Sequence, residues 1–206
     1  MPWAFWFTGK SAQPRGPSGH RLDWQTASRL VKAVPPYVAS VLLIHVSARD
    51  AIAELCQRVS PSTIQIQTEV PEPDLASVKR QFPHIGFVKT VHVYPGSSVD
   101  EVVSLTATHL ASGIIDAINL DSRKSKASTQ TGGTGLIHDW NVSRSVVKRF
   151  GSTPVILAGG LTPDNVRRAV EAVRPYAVDV MTGVELQRGI KSKEKLRFFF
   201  AAVREE

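Results

Sequence analysis

Short apolar runs and amphipathic stretches alternate along this chain, and that alternation restricts the fold more than any other feature. Strand-like runs fall at Trp3 to Phe7, Ser40 to Val46, Thr63 to Gln67, Gly86 to Val93, Ile115 to Leu120, Pro154 to Ala158 and Ala177 to Met181. Each precedes a stretch read as helix: Asp23 to Ala33, Arg49 to Val59, Pro73 to Phe82, Val99 to Ala111, Asn141 to Phe150, Pro163 to Val173 and Lys193 to Val203. The regular strand–helix order is the pattern of a parallel sheet. Val166, Ala169, Val170 and Val173 recur at helical spacing, as do Val99, Val102, Val103, Leu105 and Leu110, which suits helices lying on that sheet. Two architectures remain, a doubly wound open sheet and a βα barrel. Functional-looking residues trail many different strands: Lys10, Gln67, His92, Asp121, Gly159-Gly160 and Thr182-Gly183. An open sheet would gather them at one switch point, whereas a barrel brings every strand's C-terminal end to one mouth. The expectation is therefore α/β, a TIM-type βα barrel of about seven units. With 206 residues and no break in composition, residues 1–206 read as one domain.

Charge and cysteine usage narrow the function classes. The formal net charge is +7, but the basic residues are strewn over several helices without interleaved aromatics, which argues against nucleic acid as partner. The run Arg123-Lys124-Ser125-Lys126 reads as a solvated loop or as an anion-steering one. Cys56 stands alone and can form no internal disulfide, which fits a reducing cytoplasm. The apolar start, Met1 to Phe7, lacks a basic leader and is too short to cross a bilayer, so it reads as a strand and no membrane partner is expected.

The stretch Val155 to Val166 concentrates chemistry. A buried strand runs into Gly159-Gly160, whose bare N–H groups can approach an oxyanion. Thr162 then reads as an N-cap and Pro163 as the first helical residue, which puts a positive helix end beside them. A tight βα turn explains the two glycines equally well, and the residues alone leave both readings open. Asp121, at a strand end, is either a loop-anchoring acceptor or an acid. If it points into the mouth, alternation sends Asn119 and Ala117 the same way. His45 and His92 read first as satisfied structural residues, Lys89 as paired inside the barrel, and Asp179 as a group that could orient the neighbouring turn.

In order and spacing, Leu120-Asp121-Ser122, Gly132-Gly133-Thr134-Gly135, Asp139-Trp140, Leu157 to Val166, Val178-Asp179-Val180 and Thr182-Gly183-Val184-Glu185 resemble phosphoribosylanthranilate isomerase. The likeness extends more weakly to Ile64 to Gln67 and Val88 to Val91. It implies a βα barrel that catalyses an Amadori rearrangement in tryptophan biosynthesis without metal or organic cofactor. It further implies Asp121 as the general acid for the ribose ring oxygen, and Gly159-Gly160 and Thr182-Gly183 as the turns holding the substrate phosphate. Arg15 or Arg21 would take the arginine position that contacts the anthranilate carboxylate.

Departures accompany the likeness. The family's opening strand, ending in Lys-Ile-Cys-Gly and supplying the general-base cysteine, has no counterpart here, so the first of eight units is expected to be missing. Cys56, on a helix after a later strand, cannot replace it, and Lys10 and His92 are the candidate substitute bases. His138 stands in place of an aromatic residue, Gln67-Thr68 in place of His-Gly, and Met181-Thr182 in place of Ser-Ser. A phosphorylated aminosugar isomerase of reduced or altered activity is expected, with a non-catalytic phosphosugar-binding or regulatory barrel as alternative. The edges left by a missing unit call for direct pairing or for a second copy of the chain.

Overall fold

The computed structural model describes residues 4–8, as backbone, together with residues 22–125 and 135–204. The chain divides into two compact units. It is α/β, with parallel strands alternating with helices.

The first unit comprises Met1–Thr90 with Leu110–Asp116. In it β1 (Ala4–Thr8), β2 (Ala39–Ile44), β3 (Thr63–Ile66) and β4 (Gly86–Val93, whose last residues belong to the second unit) pair parallel in chain order. Ala4 lies opposite Ala39, Val41 opposite Thr63, and Thr63 opposite Gly86. Helices α1 (Trp24–Lys32), α2 (Arg49–Val59) and α3 (Glu72–Gln81) connect them. Asp23 starts α1 by accepting the Thr26 N–H at 2.6 Å. Leu42, Ile44, Ile52, Ile64, Ile66 and Phe87 form the buried core, and each is at most 1% exposed. Cys56 is buried with them, and burial pushes its thiol up to about 12.

At the start of β4 one charged knot closes the unit. Lys79 Nζ, on α3, donates to Asp116 Oδ2 at 2.6 Å and to the Ile85 carbonyl at 2.9 Å, while the Phe87 N–H donates to the same Oδ2 at 2.7 Å. The Lys79 ammonium also stands 4.8 Å from the centre of the Phe87 ring. Lys89 lies two residues on, hence on Phe87's face of the strand, the side on which α3 packs rather than the opposite one. There its Nζ donates to Glu69 Oε1 and the Thr68 carbonyl. Lys89 is therefore paired, as expected, but with the loop after β3. The opposite face carries Gln65, which donates to Thr90 Oγ1 at 2.7 Å.

The second unit holds Val91–His109 and Ala117–Glu206. Its elements are α4 (Val99–Leu110), β5 (Ala117–Ser122), α5 (Trp140–Arg149), β6 (Val155–Leu157), α6 (Val166–Val173) and β7 (Ala177–Val178). A 3-10 turn at Thr182–Val184, a hairpin of β8 (Glu185–Gln187) with β9 (Ile190–Lys191), and α7 (Lys193–Arg204) complete it. β5, β6 and β7 pair parallel, with Leu120 opposite Leu157 and Ile156 opposite Ala177. The Arg123 N–H donates to the Val93 carbonyl at 3.0 Å, so the ends of β4 and β5 are level. α6 and α7 close over a core of Leu157, Leu161, Val166, Ala169, Val173, Val184 and Phe199.

Three local differences from the sequence reading have physical causes. Regular helix begins at Val166 rather than Pro163, because the Thr162 carbonyl accepts from both Asn165 and Val166 and makes a turn first. The regular part of β7 ends at Val178, after which the Asp179 N–H makes one further bond to the Leu157 carbonyl at 2.8 Å. The β8–β9 hairpin is too short to carry a period of its own.

Candidate active site

Alternation along β5 puts Ala117, Asn119 and Asp121 on one face and Ile118, Leu120 and Ser122 on the other. The first face is polar at its end. Asn119 is fully buried and donates from Nδ2 to Asp179 Oδ2 at 3.3 Å, which puts Asp179, just past β7, over the same face. Burial, then the nearby Asp179 charge, pushes the Asp121 carboxyl up to about 7, against smaller lowering by the Ser122 N–H and Arg123. Burial likewise lifts Asp179 to about 6, opposed by Asn119 and Lys191. Two carboxyls in one low-dielectric setting cannot both ionise cheaply.

Close packing fixes the glycine turns beside this face. Gly159 has φ +89° and Gly160 φ +65°, both in the left-handed region. A Cβ on Gly159 would lie 2.2 Å from Ser122 Oγ, and one on Gly160 would lie 2.5 Å from the Leu136 carbonyl oxygen. On Gly183 it would lie 1.9 Å from the Leu161 carbonyl oxygen, so the turn at Thr182–Val184 packs directly on the turn after β6. Asn165 clamps that second turn by accepting the Thr162 N–H and donating to the Gly160 carbonyl, both at 2.9 Å. Lys191 holds the other from behind, donating to the Met181 carbonyl at 2.7 Å and to the buried Glu185 at 2.9 Å. The four residues predicted for phosphate, Gly159, Gly160, Thr182 and Gly183, thus lie on two touching turns.

On the far face of β5 a hydrogen-bonded chain anchors the connection to α5. Ser122 Oγ pairs with His138 Nδ1 at 2.7 Å and accepts the His138 N–H at 3.2 Å, and His138 Nε2 pairs with Ser143 Oγ. Burial holds the imidazole down to about 4, so it is neutral at physiological pH. Both ring nitrogens are occupied where an aromatic ring would offer none.

Of the remaining predicted residues, His92 is half-buried near the end of β4, next to the Val93 carbonyl that marks the level of Asp121. Lys10, Arg15 and Arg21 lie outside the described residues, as does Trp3 of the first predicted strand. Sequence reasoning missed the clamps Asn165 and Lys191. The first hides inside a run read as a helix start, and the second in a hairpin with no pattern. It also gave Asp179 only a part in orienting the neighbouring turn, without its bond to Asn119. No helix among the described residues is long and apolar enough to cross a membrane.

Known proteins share this arrangement of strands and helices. The family model of N-(5'-phosphoribosyl)anthranilate isomerase matches residues 18–202. The isomerase of Methanocella arvoryzae is 39% identical over 178 residues, 86% of this chain and 78% of that protein. That of Methanosarcina acetivorans is 37% identical over 194 residues, covering 91% and 79%. Among solved structures, the Pyrococcus furiosus isomerase superposes with a TM-score of 0.77 at 22% identity, over 98% of this chain and 88% of that one. A phosphoribosyl anthranilate isomerase in complex with reduced 1-(o-carboxyphenylamino)-1-deoxyribulose 5-phosphate does so with a TM-score of 0.73 at 24% identity, over 98% and 86%. A family match over most of the chain, together with relatives well above 30% identity, leaves one conclusion: the chain belongs to the phosphoribosylanthranilate isomerase family.

Proposed function

We propose that this protein isomerises a phosphoribosylamine of the phosphoribosylanthranilate type to the corresponding aminoketose, with Asp121 as general acid. The observation that carries the reading is a carboxyl held near 7, at a strand end and beside two glycine turns packed on one another. Such a group holds its proton up to near-neutral pH and can release it to a ring oxygen. The N–H groups of the turns at Gly159-Gly160 and Thr182-Gly183 supply the anion site for the sugar phosphate. Arg15 or Arg21 takes the anthranilate carboxylate, and a βα barrel of about seven units frames the whole. Support for the phosphate assignment comes from the structural neighbour solved with a 5-phosphate ligand. The test is turnover of phosphoribosylanthranilate by purified protein, beside calorimetric binding of ribose 5-phosphate. Binding with turnover supports the reading, and absence of both ends it.

One observation favours a second reading, a phosphosugar-binding barrel without turnover. Cys56 is buried on α2 with its thiol pushed up to about 12, so Cys56 offers no thiolate as base. Binding without turnover would select it.

A further inference from the structure

We infer that Asp179 is the base of this site, and that it works with Asp121 as a carboxylate pair sharing one proton. The inference rests on the isomerase reading above.

Three polar side chains converge on one face of the second unit. Asn119 and Asp121 are two residues apart on β5 and therefore point the same way. The Asn119 amide reaches Asp179 Oδ2, so Asp179 stands over the face that Asp121 occupies. β6 fixes the spacing from both sides, since the Ala158 N–H donates to the Leu120 carbonyl and the Asp179 N–H to the Leu157 carbonyl, each at 2.8 Å. The charged groups acting on the pair are Lys191 for Asp179, and Asp179 and Arg123 for Asp121. Lys191 is already committed to Glu185 and the Met181 carbonyl, so Asp179 is not locked into an ion pair of its own.

Asn119 carries the second observation. It is 0% exposed, and its Oδ1 has no hydrogen-bond partner although it is buried. An unpaired buried acceptor is costly where the amide serves only to hold a permanent carboxylate. A primary amide has a donor at one end and an acceptor at the other. Facing Asp179 with Nδ2 it satisfies the carboxylate, and turned over it would accept from the carboxylic acid with Oδ1. The same side chain thus serves Asp179 before and after it gains a proton, which is what a base requires of its neighbour.

The reaction balances on this pair. Asp121 gives its proton to the sugar ring oxygen as the C1–O bond breaks, which leaves an iminium at C1. The C2–H bond then breaks, its proton passes to Asp179, and its electron pair forms the C1–C2 double bond while the C=N pair returns to nitrogen. The enolamine becomes the aminoketose by losing the O2 proton and gaining one at C1 from water. The pair has moved its proton from Asp121 to Asp179, and transfer back restores the starting state.

Three measurements on the full chain test this. Asp179→Asn should lower kcat on phosphoribosylanthranilate by about 10²–10⁴-fold with ribose 5-phosphate affinity unchanged, and deuterium at C2 should then slow turnover more than in the wild type. Asp179→Ala should regain rate with added formate, a readout that damaged packing does not give. Carboxyl carbon NMR should show the Asp121 midpoint falling in Asp179→Asn. An unchanged isotope effect with no formate rescue overturns the base assignment. A wild-type protein that binds ribose 5-phosphate without turnover sinks the isomerase reading and the base role with it. In that case an Asp121 midpoint indifferent to Asp179→Asn also removes the shared proton.

Discussion

Asp116 and Asp121 are five residues apart in sequence and do opposite things. Asp116 stands just before β5 and is paired, with one carboxylate oxygen taking the Lys79 ammonium and the Phe87 N–H together. Asp121 stands near the end of β5, with another carboxyl for a neighbour and a proton it keeps to about 7. One aspartate is placed where its charge is neutralised, the other where its charge is resisted. The glycines divide in the same way. A Cβ on Gly86, at the start of β4, would meet the Thr63 side chain at 3.1 Å, which can give, whereas one on Gly183 would meet the Leu161 backbone at 1.9 Å, which cannot. At β4 and β5 the strand beginnings carry the ion pair, and the turns past β6 and β7 carry the close backbone packing.

The comparison is broken most directly through turnover. Asp121→Asn should remove about 10²–10⁴-fold of kcat and leave ribose 5-phosphate affinity intact, while Asp116→Asn should leave kcat nearly unchanged and lower the melting temperature. Steady-state kinetics on both variants decide. A large loss of kcat in a well-folded Asp116→Asn protein would erase the distinction between the two ends.

The glycines sharpen it at the next level. Gly183→Ala forces the two turns apart and should cost about 3 kcal/mol along with most of the phosphate affinity, measured by urea melts and calorimetry. Gly86→Ala should cost under about 1 kcal/mol and leave binding alone. Equal effects on affinity would show that the turns are not the anion site.

How much of this was legible beforehand follows the same division. The strands and helices were readable because each buries an apolar face, and burial writes a period into the sequence: α2 hides Ile52, Leu55, Cys56 and Val59 at helical spacing. Gly159, Gly160 and Gly183 were readable because only glycine tolerates what surrounds them. Asp121 was readable from its place at a strand end within a motif. The Asp121–Asp179 relation was not, since it depends on β5 and β7 flanking the same strand, and the bond that reports it joins Asn119 to Asp179, sixty positions apart, which no local pattern records. Asn165 acts wholly on backbone groups and Lys191 partly so, and backbone partners leave no mark on residue type at the far end.

Lys79 tests the beginning of the strand alone. Lys79→Met keeps the stem over Phe87 but removes the ammonium, and so leaves Asp116 and the Ile85 carbonyl short of a donor. A loss of about 1–2 kcal/mol is expected, read as a lower urea midpoint with unchanged slope, and turnover should not follow it. A double variant with Asp116→Asn should cost less than the sum of the two, because both remove one interaction.

The smallest effect concerns pH, and its sign separates the two aspartates again. The Asp121 carboxyl is raised in the folded state from 3.8 to about 7, so between those values the folded protein holds a proton that the unfolded chain has released. Stability from this group is therefore greatest at low pH and is lost as pH rises toward 7, the reverse of a salt-bridged aspartate. Asp121→Asn cannot ionise and escapes the loss, so it should melt higher than the wild type at about pH 8, by an amount that shrinks toward about pH 5. His138, held near 4, stays neutral across that range and does not interfere. With solvent screening of a half-buried group, the gain at the alkaline end is about 1 kcal/mol, or about 2–4 °C in melting temperature for a chain of this size. Asp116→Asn should show no such gain at any pH. A wild-type protein that instead becomes more stable between about pH 5 and 8 relative to Asp121→Asn would mean that the Asp121 charge is welcomed where it sits, and the acid assignment would fall with it.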